Sequence, residues 1–258
     1  MITAGVDVGN KFTKVVIMKD GKILSKGMVL SGFDQNEAAE EAFAKAVSEA
    51  GINRQDISYV MATGAGKGEV PFANDTITEV GADARGAVFL FPSGRSVIDV
   101  GAEEGRAIKC DDRGKIIDFA INEKCAAGAG SFTEAMARAL EVPLEEMGPL
   151  ALKSNKNIPM NAQCAVFAES EVVSLIHSRI SKEDISKAVH DAIASRIISM
   201  ARRVGVDKDL VMTGGVGRNV GFIKSLSEGL EMNVLVPEEP EFVSAIGAAL
   251  AAAENAAG

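Results

Sequence analysis

An apolar strand ending in Asp-x-Gly occurs twice in this chain, 92 residues apart, and that duplication limits the possible folds more than any other feature. Gly5-Val6-Asp7-Val8-Gly9 returns as Val97-Ile98-Asp99-Val100-Gly101. The correspondence runs on at the same spacing, with Lys14 against Arg106, Val16 against Ile108 and Asp20 against Asp112. After one inserted residue, Gly21-Lys22-Ile23 recurs as Gly114-Lys115-Ile116. Each copy reads as strand, tight loop, strand, turn, strand. Two such copies predict two similar lobes, each on its own sheet, rather than an array of many repeats.

Periodicity fills in the elements around the copies. Residues 2–8, 11–19 and 22–29 read as strands, with a turn at Asp20-Gly21. A helix over 36–50 stops at Gly51, a residue type favoured just past helix ends. A buried strand over 57–63 runs into the glycine-rich stretch Thr63-Gly64-Ala65-Gly66-Lys67-Gly68. Beyond the second copy, apolar residues recur at helical spacing over 131–141, 165–178, 181–204 and 219–230. Short strands over 209–213 and 233–236 and an Ala-rich helix over 241–254 complete the pattern.

Charge and cysteine usage narrow the function. With 27 basic against 36 acidic side chains the net charge is −9, and no Lys/Arg block stands out to track phosphates, so a nucleic-acid partner is not expected. No apolar run has the length of a membrane span and no secretory signal is visible, so a cytoplasmic protein without a membrane partner is expected. Three cysteines are too few, and odd in number, for a disulfide framework. They are core residues, ligands or nucleophiles.

The two Asp-x-Gly tips suit phosphate chemistry. Glycine lets backbone N–H groups approach an anion without a Cβ in the way. An Asp two residues before it can hold Mg²⁺, usually through water. The first loop continues Asn10-Lys11-Phe12-Thr13-Lys14 and supplies side-chain donors, whereas the second continues Ala102-Glu103-Glu104-Gly105 and supplies carboxylates. A third loop, Met212-Thr213-Gly214-Gly215-Val216-Gly217-Arg218-Asn219, joins a strand to a helix, where a helix N-terminus favours a phosphate or ribose. It lacks the Gly-x-Gly-x-x-Gly spacing of a Rossmann fingerprint, and Gly64-Ala65-Gly66-Lys67 fails the P-loop pattern, with Met61 at the first glycine position and Gly68 at the Ser/Thr position.

Taken together, these loops resemble the actin/Hsp70/sugar-kinase superfamily over nearly the whole chain. The resemblance implies an α/β, actin-like two-lobe ATPase fold with Mg-ATP in a cleft between lobes. Lobe I would span 1–94 with the C-terminal helix 240–258 returning to it, and lobe II would span 95–239 and carry the cysteine pair. It implies phosphate contacts from Gly9, Asn10, Thr13, Lys14 and Gly101, with Asp7 and Asp99 organising Mg²⁺ and Glu103 or Asp99 positioning water. Gly214, Gly215 and Val216 would lie against the adenosine, with Asn219 beside them.

Cys125 and Cys164 both stand close before a predicted helix, where the positive dipole end favours a thiolate. Their separation suits neither a zinc ribbon nor a ferredoxin loop. The chemistry leaves two readings open, a pair of small buried hydrophobes or half of a four-thiolate set shared by two subunits. The runs Lys124-Cys125-Ala126-Ala127-Gly128-Ala129-Gly130 and Cys164-Ala165-Val166-Phe167-Ala168-Glu169-Ser170-Glu171 resemble the ATPases of benzoyl-CoA reductase and the activators of 2-hydroxyacyl-CoA dehydratases. That resemblance implies Cys125 and Cys164 as ligands of a [4Fe-4S] cluster shared between two subunits, and adds Gly128 and Gly130 to the nucleotide-binding set. It further implies a paralogous ATPase subunit or a second copy across the cluster, substrate-reducing partner subunits and a ferredoxin-like electron donor. The activators usually carry Gly-Gly-Gln-Asp where this chain has Gly101-Ala102-Glu103-Glu104. That departure, with Asn161-Ala162-Gln163-Cys164 and Pro237-Glu238-Glu239-Pro240, is more similar to the D-type ATPase of benzoyl-CoA reductase. The expected activity is therefore ATP-driven, low-potential electron transfer for benzoyl-CoA reduction. The alternatives are activation of a 2-hydroxyacyl-CoA dehydratase and a small actin-fold kinase. Cys110 reads as a packed side chain, and His177 and His190 as surface or capping residues.

Overall fold

In the computed structural model, residues 1–122, 130–160 and 165–257 are described, and they form a mixed α/β fold with two five-stranded sheets. The chain divides into two compact units, one of Met1–Gly94, Cys110–Ile117 and Glu241–Gly258, the other of Arg95–Lys109 and Asp118–Pro240.

In the first unit, β1 (Ile2–Val8), β2 (Phe12–Lys19) and β3 (Lys22–Leu30) form an antiparallel meander, and α1 (Gln35–Ala50) follows. β4 (Tyr59–Thr63) then pairs parallel with β1, and the two-residue β5 (Asp75–Thr76) completes the order β3-β2-β1-β4-β5. α2 (Glu79–Leu90) packs on the C-terminal helix α8 (Val243–Ala257). Strand side chains alternate between faces, and β2 displays the consequence. Val15 and Ile17 enter a core with Ala39, Ala42 and Phe43 of α1, while Val16 and Met18 pack with Ala245, Ile246 and Ala249 of α8. Each such buried aliphatic contributes about 1.5–3 kcal/mol relative to exposure. A strand covered on both faces reads as a continuous apolar run, which is how Val15–Met18 reads in the sequence.

The second sheet, with the helices of the second unit, repeats the plan. β6 (Ser96–Val100) pairs antiparallel with β7 (Gly105–Cys110), β8 (Ile116–Asn122) follows, and β9 (Leu210–Thr213) returns parallel to β6 beside β10 (Val234–Leu235). Its helices are α3 (Gly130–Leu140), α4 (Leu144–Ala151), α5 (Ala165–His177), α6 (Lys182–Val204) and α7 (Val220–Leu230). Their core joins Phe132, Met136, Leu140, Met147, Ile185, Val189, Ile193 and Phe222 to Ile98, Val100 and Met212 of the sheet. Cys110 is 1% exposed, as its packed reading requires.

Helices α2 and α4 have no counterpart in the periodicity analysis. α2 is buried on nearly every side by small residues, Gly81, Ala82, Ala84, Gly86 and Ala87, so it shows no contrast between two faces. α4 is only eight residues long and contains Pro149. His190 corrects the surface expectation. It is fully buried in α6, its Nδ1 lies 2.7 Å from the Ser186 carbonyl oxygen, and burial pushes its pKa down. His177 is exposed.

Candidate functional site

The antiparallel register sets Asp7 opposite Lys14 in the first unit and Asp99 opposite Arg106 in the second. Each pair closes as a buried ion pair at the tip of its hairpin. Lys14 Nζ lies 2.6 Å from Asp7 Oδ2, and Arg106 Nη1 lies 2.8 Å from Asp99 Oδ2. The carboxylates are only 6% and 3% exposed, so each depends on its cation for charge compensation. Lys14 and Arg106 are equivalents in the repeat, and the structure gives the two side chains one task.

The loops beyond these carboxylates are built alike. Gly9 donates its N–H to Phe12 O at 3.2 Å and Gly101 to Glu104 O at 2.9 Å, so both glycine amides close their own hairpins. Asn10 is exposed at the first tip. Thr13 is fully buried, with its hydroxyl 3.0 Å from Ser31 Oγ, which donates to Gly9 O at 2.5 Å. Ser31 is thus a loop-bracing residue that motif reasoning missed, because its partner lies across β2 rather than in the motif. In the second loop, Glu104 pairs with the other Nη of Arg106, while Glu103 is exposed. Gly130 and Ser131, at the start of α3, donate to Gly101 O at 2.9 Å and Ala102 O at 2.8 Å. A Cβ on Gly130 would stand 3.1 Å from both Gly101 O and Val216 Cγ2. The helix after the Cys125 segment is therefore hydrogen-bonded directly to the loop after Asp99.

The third loop crosses behind Asp99. Thr213 pairs in register with Asp99 on the parallel ladder and donates from Oγ1 to Asp99 Oδ1 at 3.0 Å. Gly214 has φ +81°, and a Cβ there would clash with Val100 O, so only glycine fits. Gly215 opens a short 3₁₀ turn, Gly215–Arg218, and nothing stands within 4 Å of where its Cβ would point. Val216 is half-buried against the second core. Asn219 caps α7, its Oδ1 accepting from the N–H groups of Gly221 and Phe222 at 3.1 and 3.2 Å.

The first unit has the same crossing, which the 92-residue repeat does not reveal. Thr63 pairs in register with Asp7, and a Cβ on Gly64, at φ +91°, would clash with Val8 O. Thr63-Gly64 is the counterpart of Thr213-Gly214. The signal was present as a Thr-Gly ending on two buried strands, but at a spacing of 150 residues rather than 92.

In each unit these residues fit the chemistry of a magnesium–phosphate group. Each carboxylate is held in place and balanced by a cation, and Gly215 leaves free space beside its loop. Cys125, Cys164 and Gly128 lie outside the described residues. α3 begins five residues after Cys125 and α5 begins one residue after Cys164. The first turn of α5 presents Val166 and Phe167 at 68% and 69% exposure, with Val173 and Ile176 also exposed further along.

A profile of the BadF/BadG/BcrA/BcrD ATPase family matches residues 4–252. The chain is 41% identical over 256 residues to the activator of lactoyl-CoA dehydratase from Anaerotignum propionicum, covering 99% of each protein. It is 34% identical to the D-type polypeptide of benzoyl-CoA reductase from Thauera aromatica, covering 96% of this chain and 92% of that one. The solved structure of the activator of 2-hydroxyisocaproyl-CoA dehydratase from Clostridium difficile, with bound ADPNP, superposes with a TM-score of 0.93. The two are 35% identical, and the match covers 100% of this chain and 96% of that one. The fold is actin-like, as the resemblance of the loops implied.

Proposed function

The chain belongs to the BadF/BadG/BcrA/BcrD ATPase family, and from that membership we propose that it is the ATP-hydrolysing activator of a 2-hydroxyacyl-CoA dehydratase, transferring low-potential electrons to that partner. This replaces benzoyl-CoA reduction as the leading assignment. The carrying observation is similarity over full length: 41% to a dehydratase activator against 34% to the reductase polypeptide, despite the Glu103-Glu104 departure in the second loop.

In this assignment Asp7 and Asp99 would each be able to organise Mg²⁺ at the tip of its own hairpin, and Lys14 and the loop donors would neutralise phosphate charge. Catalysis is then chiefly placement and electrostatics. Asp99 already has two partners, Arg106 and Thr213, so it serves as an oriented anion. Glu103, exposed at the loop tip, is the carboxylate available to orient a water. Cys125 and Cys164 would provide two thiolates per chain, and a second copy would complete the four that a [4Fe-4S] cluster takes. That cluster supplies one-electron transfer at low potential. Support for coupling comes from the bonds of Gly130 and Ser131 to the loop after Asp99, because a shift in that loop is passed to the helix that follows Cys125.

The test is iron and acid-labile sulfide on the chain purified without oxygen. About four irons per pair of chains, lost on Cys125→Ser and on Cys164→Ser, is the expected result. An iron-free protein that still turns over ATP would overturn the electron-transfer role. Counting ATP per product with a dehydratase or a benzoyl-CoA reductase partner separates the two acceptors. An activator needs far less than one ATP per turnover once its partner is reduced, whereas a stoichiometric reductase consumes ATP every cycle.

A further inference from the structure

The two units position equivalent carboxylates with equivalent strands, yet one hydrogen bond of the pair is missing. Thr213 donates to Asp99 Oδ1 at 3.0 Å. Thr63 occupies the same ladder position against Asp7, and it is fully buried. Its hydroxyl has no hydrogen-bond partner among the described residues. A buried hydroxyl without a partner is destabilising, so its persistence calls for a state in which it is satisfied. Asp7 Oδ1 is the neighbouring acceptor: it lies 2.6 Å from the position a Cβ on Gly64 would take, directly beside Thr63 in the chain. The other oxygen, Oδ2, is held by Lys14.

We propose that Thr63 is a positioning residue for Asp7, whose hydroxyl bonds the Asp7 carboxylate when magnesium–nucleotide is bound. The reason is competition for Lys14. Its ammonium is the cation that Asp7 holds in the first hairpin, and it is also the side chain best suited to neutralise a phosphate there. With Lys14 turned toward phosphate, Asp7 would lose that partner and would be left to hold Mg²⁺. A hydroxyl bond on Oδ1 then fixes the carboxylate's orientation toward the ion, as Thr213 already fixes Asp99. Positioning partners of metal-binding carboxylates commonly affect metal affinity about tenfold or more.

The proposal rests on Asp7 as the Mg²⁺-organising carboxylate, and the experiment separates the two. Binding of a fluorescent ATP analogue is titrated with Mg²⁺ for the wild type, Thr63→Val, Thr63→Ser and Asp7→Asn, alongside nucleotide binding without Mg²⁺ and a thermal melt. Valine keeps the shape of threonine and exchanges the hydroxyl for a methyl group. The expected result is a Mg²⁺ midpoint raised about tenfold in Thr63→Val, unchanged Mg²⁺-free affinity, restoration in Thr63→Ser, and loss of Mg²⁺ dependence in Asp7→Asn. A wild-type midpoint in Thr63→Val, with Asp7→Asn still impaired, overturns the positioning role and leaves the assignment of Asp7 intact. A wild-type Mg²⁺ response in Asp7→Asn overturns that assignment and the proposal with it. A midpoint raised in both Thr63→Val and Thr63→Ser also overturns it, because the effect would then be packing.

Discussion

Asp184, near the start of α6, shows how a single carboxylate ties the segment after α4 to its own helix. It accepts from Ser154 Oγ at 2.7 Å and pairs with Lys156 Nζ at 2.6 Å, both on the segment that leads toward residue 161. The Lys156 ammonium first, and the Ser154 hydroxyl after it, lower its pKa from 3.8 to about 2. A carboxylate depressed in this way contributes stability that is fully present above its unfolded value and is lost as pH falls from about 4 toward 2. Asp184→Asn is expected to lower the denaturation midpoint at pH 7, with the difference from wild type shrinking as pH falls and vanishing only below about pH 2. Chemical denaturation across that range checks it. A constant difference at all pH values would mean that packing, not charge, is what Asp184 supplies.

At the scale of elements, the informative junction is the start of α3. Gly130 sits where a side chain would press on Gly101 O and Val216 Cγ2, each 3.1 Å from its Cβ position. Gly130→Ala forces a displacement of a few tenths of an ångström, with a stability cost of about 1–3 kcal/mol for an overpacked site. On the proposed function, the expected outcome is a protein that binds as much iron as the wild type and loses most of the ATP-dependent activation of a dehydratase partner. Retained activation would show that the bonds from α3 to the loop after Asp99 are structural only. Gly214→Ala is a stronger perturbation of a different kind, because positive φ and a clash with Val100 O both oppose it. It should fail to fold the β6–β9 crossing, read as loss of soluble protein. The missed helices belong to this scale as well. α2 lacks facial contrast because small residues cover it, and α4 is too short to show a period.

For the whole molecule, the proposed cluster would need two further thiolates from a second chain, and the exposed Val166 and Phe167 on the first turn of α5 are where burial would reward such pairing. Phe167→Asp is expected to shift the protein toward monomer in sedimentation and to lower iron to well below two per chain, with Mg²⁺-dependent nucleotide binding retained. Undiminished iron in a monomer would remove the second copy from the assignment. The sequence by itself determined the duplicated hairpins, the faces of most strands and the three glycine loops. Those follow from local rules: period-two alternation, turn residues, and glycine where a backbone must come close. Motif resemblance, a longer-range kind of sequence evidence, put Cys125 and Cys164 together as a pair. Only the tertiary structure decided that Lys14 and Arg106 each neutralise a buried Asp, that Thr63 matches Thr213, that Ser31 braces Gly9, and that His190 is buried. Each depends on strands or helices distant in sequence coming into register. Pairing register is a property of the folded sheet, and no local pattern in Met61-Ala62-Thr63-Gly64 states which residue will stand opposite Thr63.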